Sequence, residues 1–200
     1  MTATIPTTPA DPSAPAPAPR RGLLRRHRVL ASLCALGVVL AGYTAWSNTR
    51  PVNLSASIEI EATPAEVWQV LADFPSYGKW NPFIISSEVT SEGGRLEKGA
   101  KLRNVMHDAS GDTTFEPKVL TATPGHELRW IGKMGPGWIA DGEHRFLIEE
   151  TGPNRVRLTQ TERFTGVAVP FFEGKLKADT LPQFHAMNKA VARRAEALGA

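Results

Sequence analysis

The chain has 200 residues, of which 42% are hydrophobic and 22% are charged, so it is long enough for one globular domain with appendages. Its formal net charge of +3 is unevenly distributed. Residues 1–50 carry six arginines and one acidic residue, whereas residues 51–200 carry 17 basic and 19 acidic side chains, a net charge of −2. The larger part lacks the basic stripe that follows nucleic-acid phosphates, which argues against a nucleic-acid partner.

A proline-rich, basic tail is predicted for residues 1–28. Its first 19 residues are dominated by proline, alanine and threonine, with almost no large apolar side chains. Such a composition cannot bury enough apolar surface to offset the entropy that is lost on ordering. We therefore expect this tail to be disordered.

An uncharged apolar stretch, residues 29–46, follows the tail. As a helix it would be about 27 Å long, which is enough for the hydrocarbon core of a bilayer. Five arginines lie just before it and only Arg50 follows closely, while Tyr43 and Trp46 lie near its outer end, where interfacial aromatic residues are common. We expect a single-pass anchor in the cytoplasmic membrane, with the N-terminus in the cytoplasm and the rest of the chain on the extracytoplasmic side.

A cleavable signal peptide, which would release a secreted protein, is the alternative. Its basic start fits, but no Ala-x-Ala cleavage site ends the apolar stretch. The one cysteine, Cys34, forms no intrachain disulfide and follows a bulky Leu33, where a lipoprotein signal has a small residue. In either case residues 47–54 are predicted to be a linker before a folded domain at 55–198.

The folded domain is predicted to begin with a strand and two short helices. Residues 57–62 alternate apolar and polar, which is typical of a half-buried strand. Thr63 and Glu66 then have the spacing of a capping box, with a proline at the first helical position. We expect this helix to end at residues 73–75, and a second short helix or turn to cover 76–80.

Six further strands are predicted, because apolar segments alternate with turns rich in glycine and proline. Such short turns make neighbouring strands antiparallel. A long helix with an apolar stripe follows, and Pro182 is expected to kink or split it. The fold class is therefore α+β, with a curved seven-stranded antiparallel sheet wrapped around a long C-terminal helix. The approximate strands are 83–91, 99–107, 112–123, 126–133, 138–150 and 154–165, and the helix covers 171–198.

Four segments of the domain share a pattern with a known superfamily. They are IEIEATPAEVWQVLADFPSYGKWNPF (58–83), GEHRF (142–146), TERFTG (161–166) and FHAMNKAVARRAE (184–196). Together they resemble the SRPBCC superfamily, which includes START lipid-transfer domains, aromatic polyketide cyclases and birch-pollen-allergen-like proteins, and they are most similar to its polyketide-cyclase-like bacterial branch. The resemblance spans about residues 55–198 and implies a helix-grip fold. It leaves the function open between carriers, cyclases and sensors, so function has to be argued from the site.

The two-residue period of the strands predicts which side chains face the helix. These inward positions are mostly apolar and aromatic with a few polar groups, which is typical of small-molecule cavities. Trp138 could lie on a loop at the opening of the cavity, and Phe171 and Phe172 could close one end of it or belong to the core. The predicted lining residues are Leu102, Asn104, Met106, Leu128, Trp130, His144, Phe146, Ile148, Leu158, Gln160, Glu162, Phe184 and Met187.

His144 and Glu162 are the candidate catalytic residues. They lie on adjacent strands joined by a short turn, and an imidazole beside a carboxylate could act as a general acid and base on an enolisable ligand. Alternatively, the two side chains could satisfy each other's hydrogen bonds or contact a ligand without catalysis. The sequence has no clustered metal ligands, phosphate loop or dinucleotide fingerprint, so we expect neither a metal nor a cofactor.

Three functions follow from these patterns. The preferred one is a membrane-anchored domain that binds or transfers a hydrophobic small molecule or lipid in an internal apolar cavity. The second is a cyclase or dehydratase-like enzyme that uses His144 and Glu162. The third is an accessory interaction protein with a vestigial cavity, which would expose an apolar patch instead of holding a ligand.

Overall fold

A computed structural model of the chain describes residues 21–108 and 111–200. These residues divide into two compact units, with the boundary between Gly42 and Tyr43. Most of the predicted tail, residues 1–20, lies outside the described residues. The helix α1 (Arg21–Asn48) begins earlier than the apolar stretch predicted from residue 29, because arginine and leucine favour helices. Its segment Arg25–Asn48 is long and apolar enough to cross a membrane, a property that an N-terminal signal sequence shares.

Among its described residues, the second unit contains eight strands and two further α-helices. The strands are β1 (Val52–Ile60), β2 (Ile84–Val89), β3 (Leu102–Asp108), β4 (Gly111–Phe115), β5 (Lys118–Thr123), β6 (Glu127–Met134), β7 (Ala140–Gly152) and β8 (Arg155–Thr165). The helices are α2 (Pro64–Ala72) and α3 (Val169–Leu198), with a short 3₁₀ helix (Phe74–Lys79) after α2. The predicted α+β order of one strand, two short helices, a run of strands and a long helix is confirmed.

The strands form two antiparallel sheets, so the prediction of a single seven-stranded sheet is wrong. Five strands pair in the order β1-β8-β7-β6-β5, and three pair in the order β2-β3-β4. The predicted strand 112–123 breaks into β4 and β5 at Pro117, because proline has no N–H for the ladder. Backbone bonds still join the sheets there: Leu102 N donates to Pro117 O at 2.9 Å, and Val119 N donates to Ala100 O at 2.8 Å.

Phe115 and Gly132 form a second connection between the two sheets. Phe115 ends β4, and its ring lies over Gly132 of β6. A Cβ atom at Gly132 would stand 1.6 Å from the ring Cζ of Phe115. The glycine is therefore required here for space, since a strand glycine lets an aromatic ring lie on the backbone.

The capping box predicted at α2 is confirmed. The backbone N–H of Glu66 donates to Thr63 Oγ1 at 3.3 Å, and the backbone N–H of Thr63 donates to Glu66 Oε2 at 2.7 Å. The hydrogen bond from the Thr63 backbone is the main reason that the pKa of Glu66 is lowered. Before this helix, β1 begins at Val52, so it includes residues that were expected to belong to the linker.

The terminal helix α3 contributes its second half to the core. Of the predicted stripe residues, Phe184, Met187, Val191 and Ala195 are buried, whereas Leu198 at the end of the helix is exposed. The helix continues through Pro182 without the expected split. From residue 170 to residue 183, in contrast, no side chain is fully buried. The two halves of α3 therefore differ in how firmly they are packed.

The buried apolar residues form two clusters. The large cluster includes Trp130, Phe146 and Met187. The small cluster consists of Val52, Leu54, Ala56, Val169 and Phe184, and the residues packed against it are only partly buried: Ala140, Phe164, Leu176 and Leu181. The small cluster adjoins the first half of α3, so this end of the domain is the less densely buried one.

Candidate functional site

The residues predicted to line the interior are buried, except Met106, which is half-buried. Asn104 lies apart from the other polar groups and accepts a hydrogen bond from Ser87 Oγ at 2.6 Å. His144, Gln160 and Glu162 are brought together by the pairing of β7 with β8, which places His144 directly opposite Glu162. These three side chains form the candidate site.

Both ring nitrogens of His144 are hydrogen-bonded. Nδ1 bonds with Glu162 Oε2, and Gln160 Nε2 lies 3.0 Å from His144 Nε2. If the Gln160 amide nitrogen is the donor in this contact, Nε2 accepts and the ring proton is on Nδ1, facing the carboxylate. Glu162 therefore orients the imidazole, and Gln160 occupies the nitrogen that would otherwise be available as a base.

Three aromatic rings enclose the imidazole of His144. Trp130 stacks on it with a centroid distance of 5.0 Å and an interplanar angle of 8°, and Phe146 lies at 4.7 Å. Phe184 of α3 approaches edge-on at 5.2 Å. Because Trp130 and Phe146 belong to the large apolar cluster and Phe184 to the small one, His144 lies at the boundary between the two.

Gly142 gives the carboxylate of Glu162 its space. A Cβ atom at this position would lie 2.5 Å from Glu162 Oε1, which is closer than real Cβ contacts. The backbone of Gly142 is ordinary strand, so the requirement is for volume and not for a special conformation. This role of Gly142 was not predicted from sequence, although the residue stands two positions before His144 in the GEHRF segment.

A second layer of polar groups links the site to α3. Gln160 Nε2 and Asn81 Nδ2 each lie 3.6 Å from Met187 Sδ, and Asn188 Nδ2 donates to Ala56 O at 3.1 Å. Asn188 was not among the residues predicted for the site, although an asparagine within the apolar stripe of a helix is a signal for such a role. Asn188 is buried like Gln160, so the polar groups extend across the boundary between the clusters.

Two buried acceptors in this layer have no hydrogen-bond partner among the described residues. They are Gln160 Oε1 and Asn188 Oδ1. An unsatisfied buried acceptor costs about 1–3 kcal/mol, so proteins seldom retain one without a use for it. A hydroxyl or N–H group of a bound molecule could donate to either oxygen.

Two pockets open on the surface of the domain. One, of about 470 Å³, lies between Trp80 and the end of α3; the other, of about 700 Å³, lies between α2 and the turn at residues 124–126. Of the residues predicted to line the cavity, only Ile148 lines either pocket. The candidate site is thus a packed polar cluster distinct from both pockets.

Within residues 21–108 and 111–200, no three histidine, cysteine or acidic side chains are grouped so that they could hold a metal ion.

An antiparallel sheet that packs on a long C-terminal helix, with a polar cluster enclosed between them, defines a domain of the helix-grip class. Residues 51–196 match the family described as "Polyketide cyclase / dehydrase and lipid transport", and the chain belongs to this family. The resemblance to the SRPBCC superfamily is therefore confirmed. A comparison with curated proteins finds no match to this chain.

Solved structures with the same fold include enzymes and a START superfamily protein. The Zhui aromatase/cyclase from a Streptomyces species is 19% identical with a TM-score of 0.61, and the match covers 76% of this chain and 97% of that one. A START superfamily protein from Mycobacterium smegmatis is 22% identical with a TM-score of 0.55, covering 73% and 98%. Norcoclaurine synthase from Thalictrum is 12% identical with a TM-score of 0.60, covering 76% and 98%. At these identities the likeness establishes the fold alone.

Proposed function

We propose that the protein is a membrane-anchored domain that binds or transfers a hydrophobic small molecule or lipid. Residues 29–46 of α1 would form the anchor, with the domain on the extracytoplasmic side. The observation that carries the proposal is the pair of unpaired acceptors, Gln160 Oε1 and Asn188 Oδ1, buried inside an apolar interior. This arrangement suits a molecule with an apolar body and a hydrogen-bond donor.

The ligand would enter beneath the first half of α3. That half has no fully buried side chain between residues 170 and 183. The apolar residues that pack against the small cluster below it are only partly buried. Pro182 ends this segment and cannot donate the usual helical hydrogen bond, which weakens the helix at that point. Movement of residues 169–181 would open the interior without disturbing the large cluster.

Gln160→Met tests this proposal. The substitution keeps the side-chain volume and removes the unpaired acceptor of Gln160, but it leaves His144 Nε2 without its donor. The gain and the cost in stability are therefore both about 1–3 kcal/mol and roughly cancel. We expect the free energy of unfolding to change little. The yield of photocrosslinking to a diazirine-bearing fatty alcohol, whose hydroxyl can donate to that oxygen, should fall roughly tenfold, as for the loss of about 1.4 kcal/mol of binding. Gln69→Met, on the exposed face of α2, is the matched control.

Crosslinking is measured on the full chain in vesicles, with mass spectrometry to locate the attached peptide. Attachment within β7, β8 or α3 supports the proposal. Attachment only within α1, equal for both variants, contradicts it. Native mass spectrometry of the chain extracted from its own host's membranes would identify the natural ligand by its mass.

Catalysis by His144 and Glu162 is the second candidate, because Glu162 orients the imidazole as a catalytic carboxylate would. An enzyme of this kind predicts that His144→Gln abolishes turnover of an enolisable polyketide-like substrate and leaves its affinity nearly unchanged. A carrier predicts no turnover in either form. An accessory protein predicts that neither the fatty alcohol nor the polyketide-like probe binds inside the domain.

A further inference from the structure

One end of the domain exposes five large apolar side chains, which we call the aromatic end. The exposed fractions are 76% for Phe171, 72% for Met134, 58% for Trp138, 55% for Phe172 and 45% for Trp46. Phe171 and Phe172, which were expected to be core or to close the cavity, therefore face solvent. A soluble surface rarely concentrates so many large apolar groups unless it meets a partner or a membrane.

Hydrogen bonds and ring contacts connect several residues of the aromatic end. The loop of Met134–Trp138 carries no charge, and Trp138 O accepts a hydrogen bond from Val167 N at 3.0 Å. The Val167 carbonyl in turn accepts one from Tyr43 Oη at 2.8 Å. The Tyr43 ring lies 6.0 Å from that of Phe171 and 5.8 Å from that of Trp46. Hydrogen bonds and ring contacts therefore connect the loop of Trp138 with Tyr43, Trp46 and Phe171.

Tyr43 and Trp46 also belong to the end of the segment Arg25–Asn48, which is apolar enough to cross a membrane. A chain that leaves a bilayer at this point keeps its next residues at the interface, where tryptophan, tyrosine and phenylalanine side chains are favoured. We propose that the aromatic end lies in the interfacial layer of the bilayer that residues 29–46 anchor. This inference rests on the membrane anchoring in the proposed function.

Docking in this way would place the candidate site close to the lipid. The strand β7 starts at Ala140, beside the aromatic end, and His144 is four residues further on, about 13 Å along the strand. The opposite turn, at residues 152–155, is roughly 40 Å from Ala140. A hydrophobic molecule could then pass between the bilayer and the interior beneath the first half of α3 without crossing water.

The test uses the full chain reconstituted in vesicles of phosphatidylcholine and phosphatidylglycerol. Cys34 is replaced by serine, and a single new cysteine is labelled with the fluorophore NBD, either at the aromatic end (Met134→Cys) or at the opposite turn (Pro153→Cys). Both positions are exposed. Lipids that carry a nitroxide near the headgroup end of the acyl chain should quench the label at position 134 at least roughly threefold more than the label at position 153.

Charged side chains at the aromatic end should abolish this difference in quenching. Adding Trp138→Asp and Phe171→Asp to the Met134→Cys chain should bring its quenching down to that of the label at position 153, because charged side chains are disfavoured in the interfacial apolar layer. Leu198→Asp, which also replaces an exposed apolar residue but at the far end of α3, should leave the quenching unchanged. Circular dichroism verifies that each variant is folded.

Equal quenching at positions 134 and 153 would overturn the inference, because a domain that moves freely on its linker has no preferred end. If quenching at position 134 develops only at high protein density, the aromatic end contacts a second copy of the chain and not the bilayer. That result would also overturn the inference. Resistance of the chain to alkaline carbonate extraction reports anchoring by itself. Failure of docking can thus be distinguished from failure of the anchor, and the crosslinking yield reports ligand binding independently of both.

Discussion

Gly142→Ala is expected to disturb the buried pair of His144 and Glu162. The new Cβ atom would lie 2.5 Å from Glu162 Oε1, whereas ordinary contact begins at 3.4 Å. The carboxylate must therefore move by about 0.9 Å, because such a close approach is strongly repulsive. Its partner His144 is held by three aromatic rings and Gln160 and cannot follow, so the hydrogen bond between His144 and Glu162 is lost or weakened.

The size of this effect follows from the burial of the pair. The side chains of His144 and Glu162 are only 9% and 10% exposed, so water replaces little of the lost interaction. A hydrogen bond to a charged group contributes about 1.5–3 kcal/mol, and we expect Gly142→Ala to lower the free energy of unfolding by about 2–3 kcal/mol. In a chain that already carries Glu162→Ala the same substitution should cost less than about 0.5 kcal/mol, because the clashing oxygen is absent.

Urea unfolding of the full chain in detergent micelles, followed by tryptophan fluorescence, measures these values. Gly152→Ala at the other end of β7 is the control: its Cβ atom would meet nothing closer than 3.9 Å, so its effect should be small. If Gly142→Ala costs the same with and without the Glu162 carboxylate, the explanation from steric displacement of that carboxylate is refuted.

Three other predictions concern the frame around the site. Gly132→Ala should lower the free energy of unfolding by about 1–3 kcal/mol, because it expels the Phe115 ring from the junction of the two sheets; a Phe115→Ala background should remove most of this cost. The capping hydrogen bonds from Thr63 lower the pKa of Glu66 in the folded state. The stability that they contribute is therefore present above pH 4.5 and is lost as the pH falls through the lowered pKa. Urea unfolding at several pH values should show less of this acid sensitivity in Glu66→Gln. Burial, assisted by a nearby carboxylate, raises the pKa of Tyr77 above 10.0, so unfolding should become easier as the pH rises above that value, and Tyr77→Phe should diminish this alkaline dependence.

Local patterns in the sequence predicted several features correctly. The capping box at Thr63 and Glu66 depends on residues three positions apart, and the apolar stripe with Phe184 and Met187 depends on the helical repeat. The contact of His144 with Glu162 was also accessible from sequence, because a short turn makes two strands pair side by side in antiparallel register from the turn outward. Each of these features is determined by residues that are close together in the chain.

Other features required the tertiary structure. The sequence does not reveal that Phe115 covers Gly132, that Glu162 fills the space beside Gly142, or that the oxygen of Gln160 is left unpaired next to α3. Hydrophobic periodicity and turn residues were enough to predict an α+β domain that follows an apolar helix, since they act locally. The tertiary fold decided which buried polar groups find partners and which aromatic side chains stay exposed, because those outcomes depend on distances between segments far apart in the chain.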